Sequence, residues 1–325
     1  MIICVSANPA IDRRLQLERI ALGEVNRAVS ATPFPGGKAA HVAMVARALG
    51  EEVTWIGFLG GAAGEECESG LAALGIPVTV VRTQASTRAN LEIITSDGSV
   101  TEILEPGGSV TEGEVERLLT ACAEAIAESP EGTQVALSGS LPPGAPNDLY
   151  AQIIRLAHDY GCRALLDTSG EALRQGLRAA PDLVKPNRAE ASWFASRSIA
   201  NNDVATSVAR QLIATGAKSA AISMGAEGIV WERPNNGGSL ICKPPSTTIR
   251  SSVGCGDAAL AGFAVANAKG QEDRDALRFA VACGTANCLA DSPGLVNPIN
   301  VHRIFEQLTV EEVDHNRANT RGGSL

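Results

Sequence analysis

The chain has 325 residues, 45% of them hydrophobic, 19% charged and 3% aromatic, a composition that excludes disordered, collagen-like and disulfide-scaffold classes. Its formal charge of −9 comes with basic residues scattered along the chain, which excludes a nucleic-acid partner but leaves room for a local positive pocket and an anionic substrate. Eight cysteines without a C-x-x-C pair disfavour zinc, no apolar window reaches the roughly 20 residues of a membrane span, and no basic stretch precedes the apolar start at Met1, so no membrane partner and cytoplasmic residence with reduced thiols are expected.

In chain order, short β-branched runs at 2–5, 53–58, 78–81, 134–138, 164–167, 183–185 and 219–223 alternate with helical patterns at 41–49, 111–127, 146–160, 203–215, 257–269 and 273–290. This rhythm predicts an α/β fold, a doubly wound, mainly parallel sheet with helices on both faces. Two stretches, at about 12–33 and 88–105, instead alternate apolar and polar residues at period two (Leu15, Leu17; Leu91, Ile93). They predict antiparallel strands inserted into the core as a small β-sheet lid. A single domain over 1–310 and a frayed tail over 311–325 complete the expectation.

Glycine-rich turns fall where strands end. Ser251 to Phe263 contains Gly254-Cys255-Gly256-Asp257 followed by an Ala-rich helix; the first amides of such a helix carry the positive end of its dipole and can hold an anion. A carboxylate at that mouth suits deprotonation of a hydroxyl while the amides hold a transferring phosphoryl group; the plainer alternative is a helix N-cap. Asp12 follows the first strand, where open α/β sheets bind ligands. Pro35-Gly36-Gly37-Lys38-Ala39-Ala40-His41 is not a Walker A loop, yet its glycines let a polyol approach, with Lys38 and His41 as polar handles. Arg88, Ser140 and the run Leu165-Leu166-Asp167-Thr168 also lie at strand ends. Asn187 and Glu190, three apart, suit hydrated Mg²⁺ or, equally, a helix-start capping pattern. Ser223, Gly225 and Gly228 offer a flat seat for a base or ribose.

Taken together and in this order, the segments from Asn8 to about Gly294 resemble the ribokinase-like (pfkB) sugar kinases, and N-P-A-I-D, S-G-S-L-P-P-G, D-T-S-G-E-A-L at Asp167 to Leu173 and K-P-N-x-x-E resemble the sugar-phosphate branch. The resemblance implies MgATP as donor, a ketohexose phosphate as acceptor, and a homodimer through the lid. It implies Asp257 as base with Gly254, Cys255 and Gly256 as anion hole. It assigns Asp12, Arg27, Gly36, Gly37, Lys38, His41, Arg88 and Ser140 to the sugar phosphate, Asn187 and Glu190 to Mg²⁺, and Lys185, Asn187, Ser223, Gly225, Gly228 and Asn287 to the nucleotide. Two residues depart from the family pattern, Ala39 for Gly and His41 for Asn, and Cys255 replaces the usual Ala. Two alternatives stand beside this reading: a kinase of the same fold for an unphosphorylated sugar or nucleoside, and a non-catalytic sugar-phosphate sensor.

Overall fold

The computed structural model describes residues 1–233 and 237–313. The first third runs β1 (Ile2–Ser6), β2 (Ala10–Leu17), β3 (Ser30–Gly36), α1 (Lys38–Ala48), β4 (Val53–Leu59), α2 (Gly61–Ala73), β5 (Val78–Arg82), β6 (Arg88–Thr95) and β7 (Val100–Ile103). The middle runs α3 (Glu112–Ala127), β8 (Gln134–Ser138), α4 (Leu149–Asp159), β9 (Arg163–Asp167), α5 (Gly170–Leu177), β10 (Leu183–Val184), α6 (Arg188–Ala195), α7 (Asn202–Thr215) and β11 (Ala220–Ser223). The last part adds β12 (Ile229–Glu232), β13 (Ser239–Cys242), α8 (Cys255–Ala268), α9 (Asp273–Cys288), α10 (Pro298–Phe305) and β14 (Val310–Val313).

Ten strands form one sheet in the order β14-β13-β12-β11-β10-β9-β8-β1-β4-β5. From β5 to β11 every pairing is parallel, as expected where strands such as β1 and β8 are buried along their whole length and helices cover both faces. One core lies under α1, α8 and α9; the other lies under α3, α4 and α7. The helix α8 is buried on nearly every side. Its small residues allow this, since a Cβ on Gly262 would sit 2.6 Å from the α9 backbone at Ala280.

Two expectations are corrected here. The lid is a four-stranded sheet, β3-β2-β6-β7, whose outer pairs are antiparallel but whose central pair β2–β6 is parallel. Both central strands leave the same end of the core sheet, one after β1 and one after β5, so they run the same way. The stretch from residue 311 is not wholly tail. Glu311–Val313 continue β14, which pairs antiparallel with β13 and is tied down by Arg233 and Arg274 on Glu312. The remainder of the expected tail, 314–325, lies outside the described residues.

Candidate active site

A cavity of about 1200 Å³ opens between the lid and the carboxyl ends of the parallel strands. At the lid end, Asp12 on β2 lies opposite Asn90 on β6, and Asn90 Nδ2 donates to Asp12 Oδ1 at 2.8 Å. Gly36 makes room for this carboxylate, because a Cβ there would occupy the position of the Asp12 carboxyl group. Asn90 Oδ1 has no protein partner, so the pair still offers one acceptor to a ligand hydroxyl.

His41, on the first turns of α1, reaches between two carboxylates. Its Nδ1 lies 2.9 Å from Asp257 Oδ2 and its Nε2 lies 3.3 Å from Asp12 Oδ2. Burial opposes a charge on this ring, but the hydrogen bond to Asp257 and the negative charges of Asp12 and Asp257 outweigh it and raise the imidazole to about 10. At neutral pH His41 is therefore a cation clamped by two acids.

Asp257 stands in the first turn of α8, which is capped by Gly254 in the left-handed region at φ 74°, a conformation that favours glycine. The Cys255 N–H points to Ser252 O at 3.3 Å, so the first-turn amides left without helical partners begin at Gly256. A Cβ on Gly256 would lie 3.4 Å from Lys185 Nζ. The loop thus combines free amides with a buried ammonium group.

Lys185 and Lys38 share one acid. Asp167, at the end of β9, accepts from both ammonium groups at 2.7 Å. Burial pushes this carboxyl up, but the charges of Lys185 and Lys38 prevail and hold it below the ordinary carboxylate range. Lys38 Nζ also contacts Glu190 Oε1 at 2.9 Å. For Lys38, burial is likewise outweighed by Asp167 and Glu190, and its ammonium is raised. Glu190 completes a capping box with Asn187: Glu190 N–H donates to Asn187 Oδ1 at 2.9 Å, and Asn187 N–H donates to Glu190 Oε2 at 2.8 Å. The spacing of three thus serves the start of α6. Each of these oxygens already accepts one hydrogen bond, and both residues line the cavity, so the pair fits a magnesium ion held through its water shell and not by direct coordination.

Most of the expected site residues converge here. Asp12, Gly37, Lys38, His41, Arg88 and Ser140 line the lid end. Lys185, Asn187, Glu190, Ser223, Gly225 and Gly228 line the rest, together with the Gly254–Asp257 loop. The Arg88 fork is largely engaged: Nε, Nη1 and Nη2 donate to the carbonyls of Pro9, Glu105 and Asn8 at 3.4, 2.8 and 3.0 Å, leaving two of the guanidinium's five N–H groups. The expected residues Arg27 and Asn287 are not among those lining the cavity. Arg27 is exposed on the connection between β2 and β3. Asn287 is buried beside the loop, donating to Val253 O at 2.8 Å and accepting from Gly294 N–H at 2.8 Å, and so clamps it. The sulfurs of Cys255 and Cys288 meet beside the loop, with their Cα atoms 6.1 Å apart. Sequence reasoning gave no role to Asp167 or Asn90. The signals for Asp167 are its place at a strand end and at the head of the D-T-S-G-E-A-L run, and Asn90 follows from its register opposite Asp12.

The pfkB family carbohydrate kinase model matches residues 2–300. The 1-phosphofructokinase of Xanthomonas campestris pv. campestris is 36% identical over 269 residues, 81% of this chain and 83% of the relative. The tagatose-6-phosphate kinase of Staphylococcus epidermidis is 32% identical over 96% of this chain and 100% of its own length. Among solved structures, Escherichia coli phosphofructokinase-2 in complex with substrates and products superposes with a TM-score of 0.86 at 29% identity, covering 94% of this chain and 98% of that one.

Proposed function

This chain belongs to the pfkB family of carbohydrate kinases and is a sugar-phosphate kinase, and we propose that it moves the γ-phosphoryl group of ATP onto a hydroxyl of a ketohexose phosphate: fructose 1-phosphate, fructose 6-phosphate or tagatose 6-phosphate. The observation that carries the reading is the placement of Asp257 in the first turn of α8, lining the same cavity as Asp12 and Arg88 and separated from Asp12 only by the His41 ring. In this reading Asp257 accepts the proton of the acceptor hydroxyl as the bond to phosphorus forms. The amides of Gly256 and Asp257, with Lys185 beside them, meet the charge on the phosphoryl oxygens. Asp12 and Asn90 orient the sugar hydroxyls, and Arg88 with its two remaining N–H groups takes the acceptor phosphate. Ser223, Gly225 and Gly228 seat the nucleotide.

Glu190 and Asn187 would hold hydrated Mg²⁺, which when bound neutralises donor phosphate charge. The lid carries exposed Leu22, Val25, Val29 and Ile103, more apolar surface than a free edge ordinarily keeps, which supports a homodimer through the lid. The test is ADP release with the three ketose phosphates, fructose and ribose, each with Mg²⁺ and with excess chelator. A ketose phosphate is the preferred acceptor and chelator abolishes turnover; preference for fructose or ribose overturns the reading.

A further inference from the structure

Six of the eight cysteines are buried free thiols. Burial pushes Cys67 and Cys122 up to about 12 and Cys242 up to about 11, and it raises Cys4 and Cys283 as well. Such thiols are poor nucleophiles at neutral pH. Cys255 and Cys288 are different: both are half-buried, both line the active-site cavity, and their sulfurs are in contact across a Cα separation of 6.1 Å, which a disulfide can span.

The backbone brings them together without help from the bridge. Gly284 lets α9 pass close to the start of α8, since a Cβ there would lie 3.0 Å from Cys255 O. Asn287, next to Cys288, holds the loop through Val253 O, with its Nδ2 also 3.5 Å from Cys255 Sγ. The two helix ends also give the sulfurs different characters. Cys255 is the first residue of α8, where the helix dipole favours a thiolate, and Cys288 is the last residue of α9, where it does not.

We infer that Cys255 and Cys288 form a reversible thiol–disulfide modification site built into the phosphoryl-binding loop, with a hydroperoxide as the oxidant. The Cys255 thiolate attacks one peroxide oxygen; the O–O bond breaks, the other oxygen leaves and is protonated to water or an alcohol, and Cys255 becomes a sulfenic acid. Cys288 sulfur then attacks Cys255 sulfur, the S–O bond breaks, and water leaves with the Cys288 proton. Two sulfurs have lost one electron each to the peroxide. A dithiol returns both thiols by exchange. The bridge ties the first residue of α8 to the last residue of α9, so the amides of Gly256 and Asp257 lose the freedom to follow a phosphoryl group from donor to acceptor, and turnover falls.

This inference rests on the kinase reading of the loop, and its test separates the two. The full chain is treated with hydrogen peroxide, mapped by non-reducing peptide mass analysis, and assayed for ADP release and for ATP-dependent thermal protection before and after dithiothreitol. The peptide joining Cys255 to Cys288 accumulates, turnover falls several-fold, and dithiothreitol reverses both. Cys288→Ala, with Cys288→Ser as a second variant, turns over like the reduced parent and keeps its activity under peroxide. A bridged chain that turns over or is protected by ATP as well as the reduced one overturns the inference. So does a Cys288 variant inactivated as fully as the parent, or an absent Cys255–Cys288 peptide. A reduced chain that phosphorylates no ketose phosphate overturns the proposed acceptor instead, while mapping and ATP protection still report on the bridge.

Discussion

His41 Nδ1 stands 2.9 Å from Asp257 Oδ2, so one oxygen of the proposed base is occupied by a fixed cation and the other is left for an acceptor hydroxyl. Asp257→Asn keeps the shape of the side chain and removes its basicity. Turnover should fall by at least about a hundredfold, the ordinary cost of losing a general base. ATP affinity by calorimetry should stay near that of the parent, because Lys185 and the free amides remain. Near-native turnover would remove Asp257 from the mechanism.

His41 also gives stability a pH dependence with a definite sign. Its proton is held in the folded chain up to about 10, against roughly 6.5 when unfolded. The contribution is therefore complete below the unfolded value and is lost as pH rises through the folded one. Urea unfolding of the parent should show declining stability over this window, and His41→Asn should flatten the decline. Restoring the family's asparagine should also change the ratio of kcat/KM among ketose phosphates more than the best rate. Equal slopes for parent and variant would show that His41 carries no such charge.

Asp167 has the opposite sign. Its carboxyl is held low by Lys185 and Lys38, so the stability it gives is present above the ordinary carboxylate range and is lost as pH falls through the folded value. Asp167→Asn leaves the Lys185 ammonium, whose side chain is 2% exposed, without its counter-charge. Breaking a buried pair from one side costs about 3–5 kcal/mol. Denaturant unfolding at neutral pH should register a loss of that order, and an unchanged midpoint would contradict the shared-carboxylate geometry.

Arg88→Ala should raise the acceptor KM by about ten- to a hundredfold, the value of one charge-assisted contact of roughly 1.5–3 kcal/mol. The KM for ATP should change little. Because the guanidinium also ties Asn8, Pro9 and Glu105 at the base of the lid, Arg88→Lys should rescue the acceptor KM only in part. An unmoved acceptor KM in Arg88→Ala would place the phosphate elsewhere.

Local information determined a large part of this protein. Alternating β-branched and Ala-rich segments fixed the parallel core, because period and burial are properties of each segment and need no partner to be read. The Gly254-Cys255-Gly256-Asp257 run, the Asn187–Glu190 pair and the glycines at 36 and 37 were legible for the same reason: capping and tight turns are decided within a few residues. Tertiary structure decided what lies between segments. It made β2–β6 parallel and gave Val310–Val313 a neighbour in β13. It set Asp12 and Asp257 on either side of His41, turned Lys38 toward Asp167 and Glu190, and brought Cys255 to Cys288 across a separation of 33 residues. The last three are contacts between side chains far apart in sequence whose charges and sulfurs act only when the sheet order and the close approach of α8 and α9 set their distances, and no periodicity encodes a distance of that kind.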